Sequence, residues 1–301
     1  MKIFTIEYSG DSFYNWANLG DDIQSLAAKK LLPRVDGGVS RESLPQATEP
    51  GVISMNGYFL GERDSWPPSE ALVPFFFAFH VTPDSADKVC SEKGIEYLRQ
   101  FEPIGCRDLG TVSMMKNHGI DAYYTKCVTL TLERRESRPE NGKIFMVGLS
   151  KGAKRAVPRS LRKRAVVVDQ AKLRLPHLTP QIKEELSQHL LDTYAKHAAL
   201  VITSKIHCAM PCIAMGIPVV FLYDKKKKND YRVGIIKDLV GINYVGESWF
   251  ERTFVNPVLG KSMNWSPDVL DMEEEKRSIR KGYLKAFDVA AKRYSEKFAV
   301  R

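Results

Sequence analysis

Leu200-Val-Ile-Thr-Ser-Lys-Ile-His-Cys-Ala-Met-Pro-Cys-Ile-Ala-Met-Gly-Ile-Pro-Val-Val220 is the stretch whose reading decides the fold. A β-branched apolar run ends in polar side chains, a short apolar stretch follows, and Gly216 and Pro218 close it before a second β-branched run. The pattern predicts a buried strand, a polar turn, a short helix and a second buried strand. A membrane span is excluded, because Lys205, His207, Pro211, Gly216 and Pro218 would be costly in lipid. In open α/β sheets ligands bind beyond the carboxyl ends of strands, where helix N-termini favour anions. The turn puts Ser204, Lys205 and His207 at such a place, the lysine supplying charge and the histidine a transferable proton. The competing reading makes His207 a satisfied helix-start histidine and Lys205 a solvated cation. Cys208 and Cys212, one helical turn apart, read as small buried core residues and not, with His207, as a metal site.

Outward from this stretch, apolar runs alternate with amphipathic segments, the pattern of parallel strands joined by helices, and the expected class is α/β. In the first half strands are predicted at 2–8, 52–55, 75–79, 103–106 and 122–125, with helices at 21–31, 84–101 and 111–118. The segment 133–142, with six charged residues plus Pro139 and Gly142, reads as a linker. Beyond it the pattern restarts, with strands at 144–147, 165–168, 200–203, 218–222 and 242–245. The expected organisation is an N-terminal lobe over 1–135, a C-terminal lobe over 143–271 and a helix over 272–301 that packs across the lobes. In that helix Tyr283, Ala286, Val289, Ala290 and Tyr294 are expected to share an apolar face.

A chain of 301 residues with 44% apolar and 27% charged residues has globular values, which exclude wholesale disorder and a membrane bundle. The first eight residues lead into Ser9-Gly10-Asp11 with no apolar signal core, and five scattered cysteines form no disulfide framework. A cytoplasmic location is the expectation. The net charge of +9, concentrated in Lys151, Lys154, Arg155, Arg159, Arg162, Lys163 and Arg164 and again in Lys225 to Lys228, attracts anions. Solvated loops are one reading of these runs; the other is attraction to a lipid-linked diphosphate or peripheral contact with the anionic inner membrane face. Nucleic acid is disfavoured, since aromatic residues are not interleaved with the basic runs.

Four blocks occur in an order that resembles the polysaccharide pyruvyl transferase family: Asn18-Leu-Gly-Asp-Asp-Ile-Gln-Ser-Leu26, Asn56-Gly-Tyr-Phe59 through Trp66-Pro-Pro-Ser69, Gly105-Cys-Arg-Asp108 with Thr111, and Thr203-Ser-Lys-Ile-His-Cys-Ala209. Gly119-Ile120 and Lys126-Cys-Val-Thr-Leu-Thr-Leu132 are similar to one branch of it. The resemblance implies two Rossmann-like lobes of GT-B type with the active site in the interdomain cleft. It also implies phosphoenolpyruvate as donor substrate, no cofactor, and a sugar or lipid-linked oligosaccharide as acceptor.

Residue by residue, the resemblance gives His207 the role of acid and Arg107 and Lys205 that of donor ligands, with Ser204 and Arg232 beside them. Where the family carries an arginine two positions before the histidine, this chain carries Lys205, a point charge in place of a two-bond grip. Asn18, Gly20, Asp21, Asn56 and His80 are candidates for the acceptor side; Asp21 is equally readable as a helix cap, and His80 as a strand-end histidine held by the backbone. The expected reaction is pyruvyl transfer to a sugar hydroxyl, forming a ketal, in cell-surface polysaccharide synthesis. The alternative on the same scaffold is a glycosyltransferase with a nucleotide-sugar donor.

Overall fold

The computed structural model describes residues 1–8, 17–58, 65–171, 173 and 178–298. The turn at Ser9 to Asp11, residues 59–64 of the second block and the last three residues of the expected terminal helix lie outside the described residues.

The first half runs β1 (Lys2–Glu7), α1 (Leu19–Lys29), β2 (Gly37–Ser40), β3 (Gly51–Tyr58), β4 (Leu72–His80), α2 (Pro83–Val89), α3 (Glu92–Arg99), β5 (Ile104–Cys106), α4 (Leu109–Asn117) and β6 (Ala122–Tyr124). All neighbours are parallel, in the order β2-β1-β3-β4-β5-β6. The second half runs β7 (Lys143–Val147), α5 (Lys151–Ala156), α6 (Arg159–Arg164), β8 (Ala165–Val168), α7 (Pro180–His197), β9 (Ala198–Thr203), α8 (Ile206–Ala214), β10 (Val219–Asp224), α9 (Gly234–Val240) and β11 (Asn243–Val245). It forms a second parallel sheet, β11-β10-β9-β7-β8. Helices α10 (Asn256–Ser262) and α11 (Glu273–Phe298) complete the chain. Both lobes are thus Rossmann-like α/β units, as the sequence predicts. In each the strand order reverses direction beside the first strand, between β1 and β3 and between β7 and β9, where the crevice for a ligand opens.

Two predicted elements differ and one strand is additional. The expected helix 84–101 is two helices, because Ser91 breaks it and caps the second, its Oγ accepting from Gly94 N at 3.3 Å. Strand β2, Gly-Gly-Val-Ser, is too short and glycine-rich to carry a strand signature. On α11 the buried seam is Ile279, Tyr283, Phe287 and Ala290, while Val289 is exposed, since a spacing of four then three keeps one face.

One core cluster takes residues from both lobes: Ile23 and Ala27 of α1, Phe75 and Phe77 of β4, Phe145 of β7, Tyr194 of α7, Met210 of α8 and Tyr283 of α11 belong to it. Helix α11 lies against β3 and β4 of the first sheet, with Tyr283 edge-on to Phe75 and Phe77 at 5.2 and 5.4 Å and its hydroxyl donating to Ser54 Oγ at 2.8 Å. Polar ties cross the same junction. The buried Lys183 ammonium of α7 donates to Tyr8 O and lies 3.6 Å from Asp22, and Ala17 and Leu173 exchange backbone bonds of 2.8 and 3.2 Å. On the opposite rim Tyr231 crosses from the second lobe to the first. Its hydroxyl donates to Val81 O at 2.6 Å and its ring lies on Gly110, where an added Cβ would fall 2.2 Å from the ring carbon Cγ.

Two outcomes follow from this packing. Tyr283→Ala should cost about 3–5 kcal/mol in urea unfolding by leaving an aromatic-sized cavity, whereas Tyr283→Phe should cost only about 1 kcal/mol through the lost hydrogen bond. Gly110→Ala should unseat Tyr231, read as faster amide exchange over residues 230–236; unchanged exchange there would show that the ring is not held by this contact.

Candidate active site

The carboxyl ends of the two sheets face each other across a cavity of about 670 Å³. Nine of the ten residues singled out in the sequence line it: Asn18, Gly20, Asp21, His80, Arg107, Ser204, Lys205, His207 and Arg232.

From the second lobe, the loops after β7 and β9 supply the floor, at the crevice where the strand order reverses. Gly148 has a positive φ of 58°, and an added Cβ would lie 2.4 Å from Lys205 Cε, so a glycine there both makes the turn and lets the lysine stem cross it. Thr203 and Ser204 tie the two loops by donating to Val147 O at 3.0 Å and Gly148 O at 2.7 Å. Lys205 occupies the N-cap position of α8, and its amide donates to Thr203 Oγ1 at 3.0 Å. His207, half-buried, has a non-helical ψ of 21° inside the first turn, and its carbonyl accepts from Gln170 Nε2 at 3.1 Å. Cys208 and Cys212 are buried in the core beneath.

From the first lobe, β5 leads directly into Arg107, which is 3% exposed. Its Nη1 donates to Gln24 Oε1 at 3.2 Å and lies 3.4 Å from His207 Nε2, the contact that joins the two lobes at the site. Asp108 behind it caps α4, accepting from the Thr111 amide at 2.9 Å, and its other oxygen is 2.6 Å from His80 Nδ1 and 3.7 Å from Arg107 Nε. His80 reaches this position through a bulge: β3 pairs Met55 with Phe76 but Gly57 with Phe79, and Ala78 takes a positive φ of 58°. The extra residue turns Phe79 into the outer core and His80 towards the cleft. The expected backbone-held histidine is therefore a carboxylate-held one.

Helix α1 contributes the remaining wall. Asn18 and not Asp21 is its cap, because Asn18 Oδ1 accepts from Gly20 N at 3.2 Å; Asp21 sits in the first turn and accepts from Asn18 Nδ2 at 3.0 Å and Gln24 Nε2 at 3.3 Å. At Gly20 an added Cβ would lie 3.1 Å from Asn18 Oδ1 and 3.2 Å from His207 Cβ, so α1 packs tightly against the histidine. Asn56 is the exception among the ten. It is fully buried off the cavity, its amide donating to Gln24 O at 3.3 Å and its carbonyl accepting from Ser54 Oγ at 3.0 Å, which satisfies the junction of β3 and α1. Arg232 is in the wall but held by Asp230, with bonds of 2.6 to 3.0 Å.

Burial, reinforced by Arg107, the neighbouring His80 and Arg232, holds the His207 imidazole well below its ordinary range. Burial and Arg107 push His80 down to about 4, against the pull of Asp108. Burial raises the Asp21 carboxyl, opposed by Arg41 and Arg107. Burial also raises Asp108, but the His80 hydrogen bond, Arg107 and the Thr111 amide outweigh it, and the group stays an anion below the usual range. The site thus sets a neutral imidazole beside a fixed cation.

Sequence reasoning missed Gln24, Gln170 and Tyr231. Gln24 lies within a quoted block and could have been found by its place one turn after Asp21; Gln170 sits in a polar stretch with no periodic signal.

The family model for polysaccharide pyruvyl transferase matches residues 69–225, just over half of the chain, including the β5, β7 and β9 site segments. No curated protein matches the sequence. Among solved structures, an uncharacterised protein from Klebsiella pneumoniae is 11% identical with a TM-score of 0.47, over 82% of this chain and 93% of its own. A UDP-N-acetylglucosamine 2-epimerase is 11% identical with a TM-score of 0.46, over 100% and 97%. A Listeria monocytogenes protein described as a UDP-N-acetylglucosamine 2-epimerase is 12% identical at 0.44, over 99% and 97%. With the matched segments carrying most of the cavity lining, the chain belongs to the polysaccharide pyruvyl transferase family.

Proposed function

We propose that this transferase moves the pyruvyl group of phosphoenolpyruvate onto a sugar hydroxyl of a glycan under synthesis, closing a ketal. The observation that carries the reading is the meeting of Arg107 and His207 across the cavity at 3.4 Å, with Lys205 on the same turn as the histidine. A small enol ester that carries a carboxylate and a phosphate dianion needs cations for both groups and one acid for its methylene carbon, and these side chains are of those types.

In this reading Arg107 and Lys205 bind the donor. His207, neutral in the free protein, takes up a proton as the phosphate dianion offsets Arg107. Transfer of that proton to the methylene carbon makes the adjacent carbon electrophilic, and an acceptor hydroxyl adds to it, giving a tetrahedral phospho-ketal. The hydroxyl's proton goes to a base, for which the raised pKa of Asp21 in the cavity wall is the supporting observation. Phosphate then leaves against the two cations, and a second hydroxyl adds while its proton passes to the solvent-exchangeable phosphate. One donor and one diol thereby give one ketal and one phosphate. Lysine in place of arginine at 205 keeps the charge but gives up bidentate geometry, so donor affinity and not the acid step should respond to Lys205→Arg. The acceptor in this reading is a sugar or lipid-linked oligosaccharide, in the part of the cavity that a donor of this size leaves open.

The test is phosphate release from phosphoenolpyruvate with a panel of sugars and lipid-linked sugars, with product mass checked for pyruvyl addition. His207→Ala should lower turnover by about a hundredfold or more; near-normal turnover overturns the acid role. A thermal shift by a nucleotide sugar and none by phosphoenolpyruvate would favour the glycosyltransferase reading. Proton uptake gives an independent check. Because the histidine is depressed in the free protein and raised by the donor, binding should absorb protons near neutral pH and tighten as pH falls, as read by calorimetry in buffers of different ionisation enthalpy. His207→Ala should abolish that uptake.

A further inference from the structure

The surface after β11 reverses the ordinary rule for a solvent-facing helix. A π turn over Glu251–Val255 runs directly into α10. Its inward side is polar and small. Asn256, fully buried, donates to Gly152 O at 3.1 Å and Gly246 O at 2.8 Å, and Gly260 lets the backbone lie on Ala156, whose carbonyl oxygen would be 1.8 Å from an added Cβ. The outward side is apolar. Trp249 is 67% exposed, Phe250 59%, Phe254 53% and Val258 64%, the last three spaced by four residues along one ridge. The rings support each other, Trp249 edge-on to Phe254 at 5.8 Å and Phe250 against Phe254 at 5.4 Å. A surface helix normally turns such residues inward, and a contiguous exposed aromatic patch marks a contact surface.

The flank of the ridge says what it contacts. The π turn and α10 pack on α5, and the stretch 151–164 from α5 to α6 carries seven basic residues and no acidic one. Lys151, Arg155, Arg159, Lys163 and Arg164 are exposed. Tryptophan and phenylalanine favour the boundary between headgroups and acyl chains, and clustered lysine and arginine favour an anionic leaflet. Two weak attractions of this kind together hold a peripheral protein where either alone does not. A second copy of the chain would fit poorly, since it would bring two sets of seven like charges together.

We propose that the ridge from Trp249 to Val258, with the basic face of α5 and α6, docks this protein onto an anionic lipid bilayer. Glu247, two residues before the ridge, and Lys154 of α5 both line the cavity, so docking sets the rim of the cavity at the lipid surface, where a lipid-linked sugar would present its hydroxyls. Among the described residues no helix is long and apolar enough to cross a membrane, and the contact is a surface one.

Vesicle flotation tests this without reference to the transfer reaction. The wild type should float with vesicles of equal phosphatidylglycerol and phosphatidylcholine, and not with phosphatidylcholine alone. Binding should fall by about tenfold or more in the Phe250→Ser, Phe254→Ser double variant and in the Arg159→Ala, Lys163→Ala, Arg164→Ala triple variant, and in high salt. Brominated acyl chains should quench a fluorescence component that Trp249→Phe removes. All six side chains are exposed, so melting curves should coincide with the wild type. Absence of binding by the wild type overturns the proposal, as does binding that the double variant leaves intact. A wild-type dimer that the phenylalanine changes convert to monomer would assign the ridge to a second copy instead.

Discussion

A guanidinium cannot give up its charge when it is buried, and Arg107 at the seam between the lobes imposes that constraint on everything around it. Gln24 on α1 must turn an oxygen towards it, Asp108 must stay ionised beside it, and His207 must offer a lone pair and remain neutral. Asp108 in turn orients His80 and caps α4, so one cation aligns elements from both sheets. The arrangement leaves positive charge with no complete carboxylate partner at a cavity wall, which is a strong reason for an anion to bind there.

The fold was legible because its signals are local. Short β-branched runs and intervening amphipathic stretches placed ten strands within a few residues, and the segment from Leu200 to Leu222 folds as strand, turn, helix and strand. What failed were features that tertiary contacts decide. Strand β2 pairs with an edge of β1 that only the fold makes available; the bulge at Phe77 and Ala78 shifts the register so that His80 reaches the cleft; and Asn18 caps α1 ahead of Asp21 because its side-chain carbonyl meets Gly20 N. The site was legible as residues and not as a network. Arg107 and His207 are a hundred positions apart, and nothing in spacing or composition announces that they touch. Asn56 shows the opposite error, a residue inside a quoted block whose task is to satisfy buried backbone.

Both sheets open their crevice beside the first strand, and the site draws on both crevices: Gly20 from the first turn of α1, which follows β1, and Gly148 and Lys205 from the loops after β7 and β9. Two glycines do opposite jobs there. Gly148 makes a left-handed turn that a side chain would strain, while Gly20 has no positive φ and contributes through its close approach to His207. The scaffold itself serves many chemistries, so the chemistry lies in these side chains and not in the sheets that carry them.

The core shared by the two lobes has a consequence for how such a protein can be taken apart. In a molecule hinged on a wet interface, each half would keep its own apolar interior and could be exchanged for that of a relative. Here Phe75 and Phe77 of one half and Tyr194 and Met210 of the other are members of a single interior, with α11 returning from the chain's end to cover the first sheet. A recombined protein would have to inherit both sides of that interior and the terminal helix together, so sequence change across the junction is constrained as a block and not lobe by lobe.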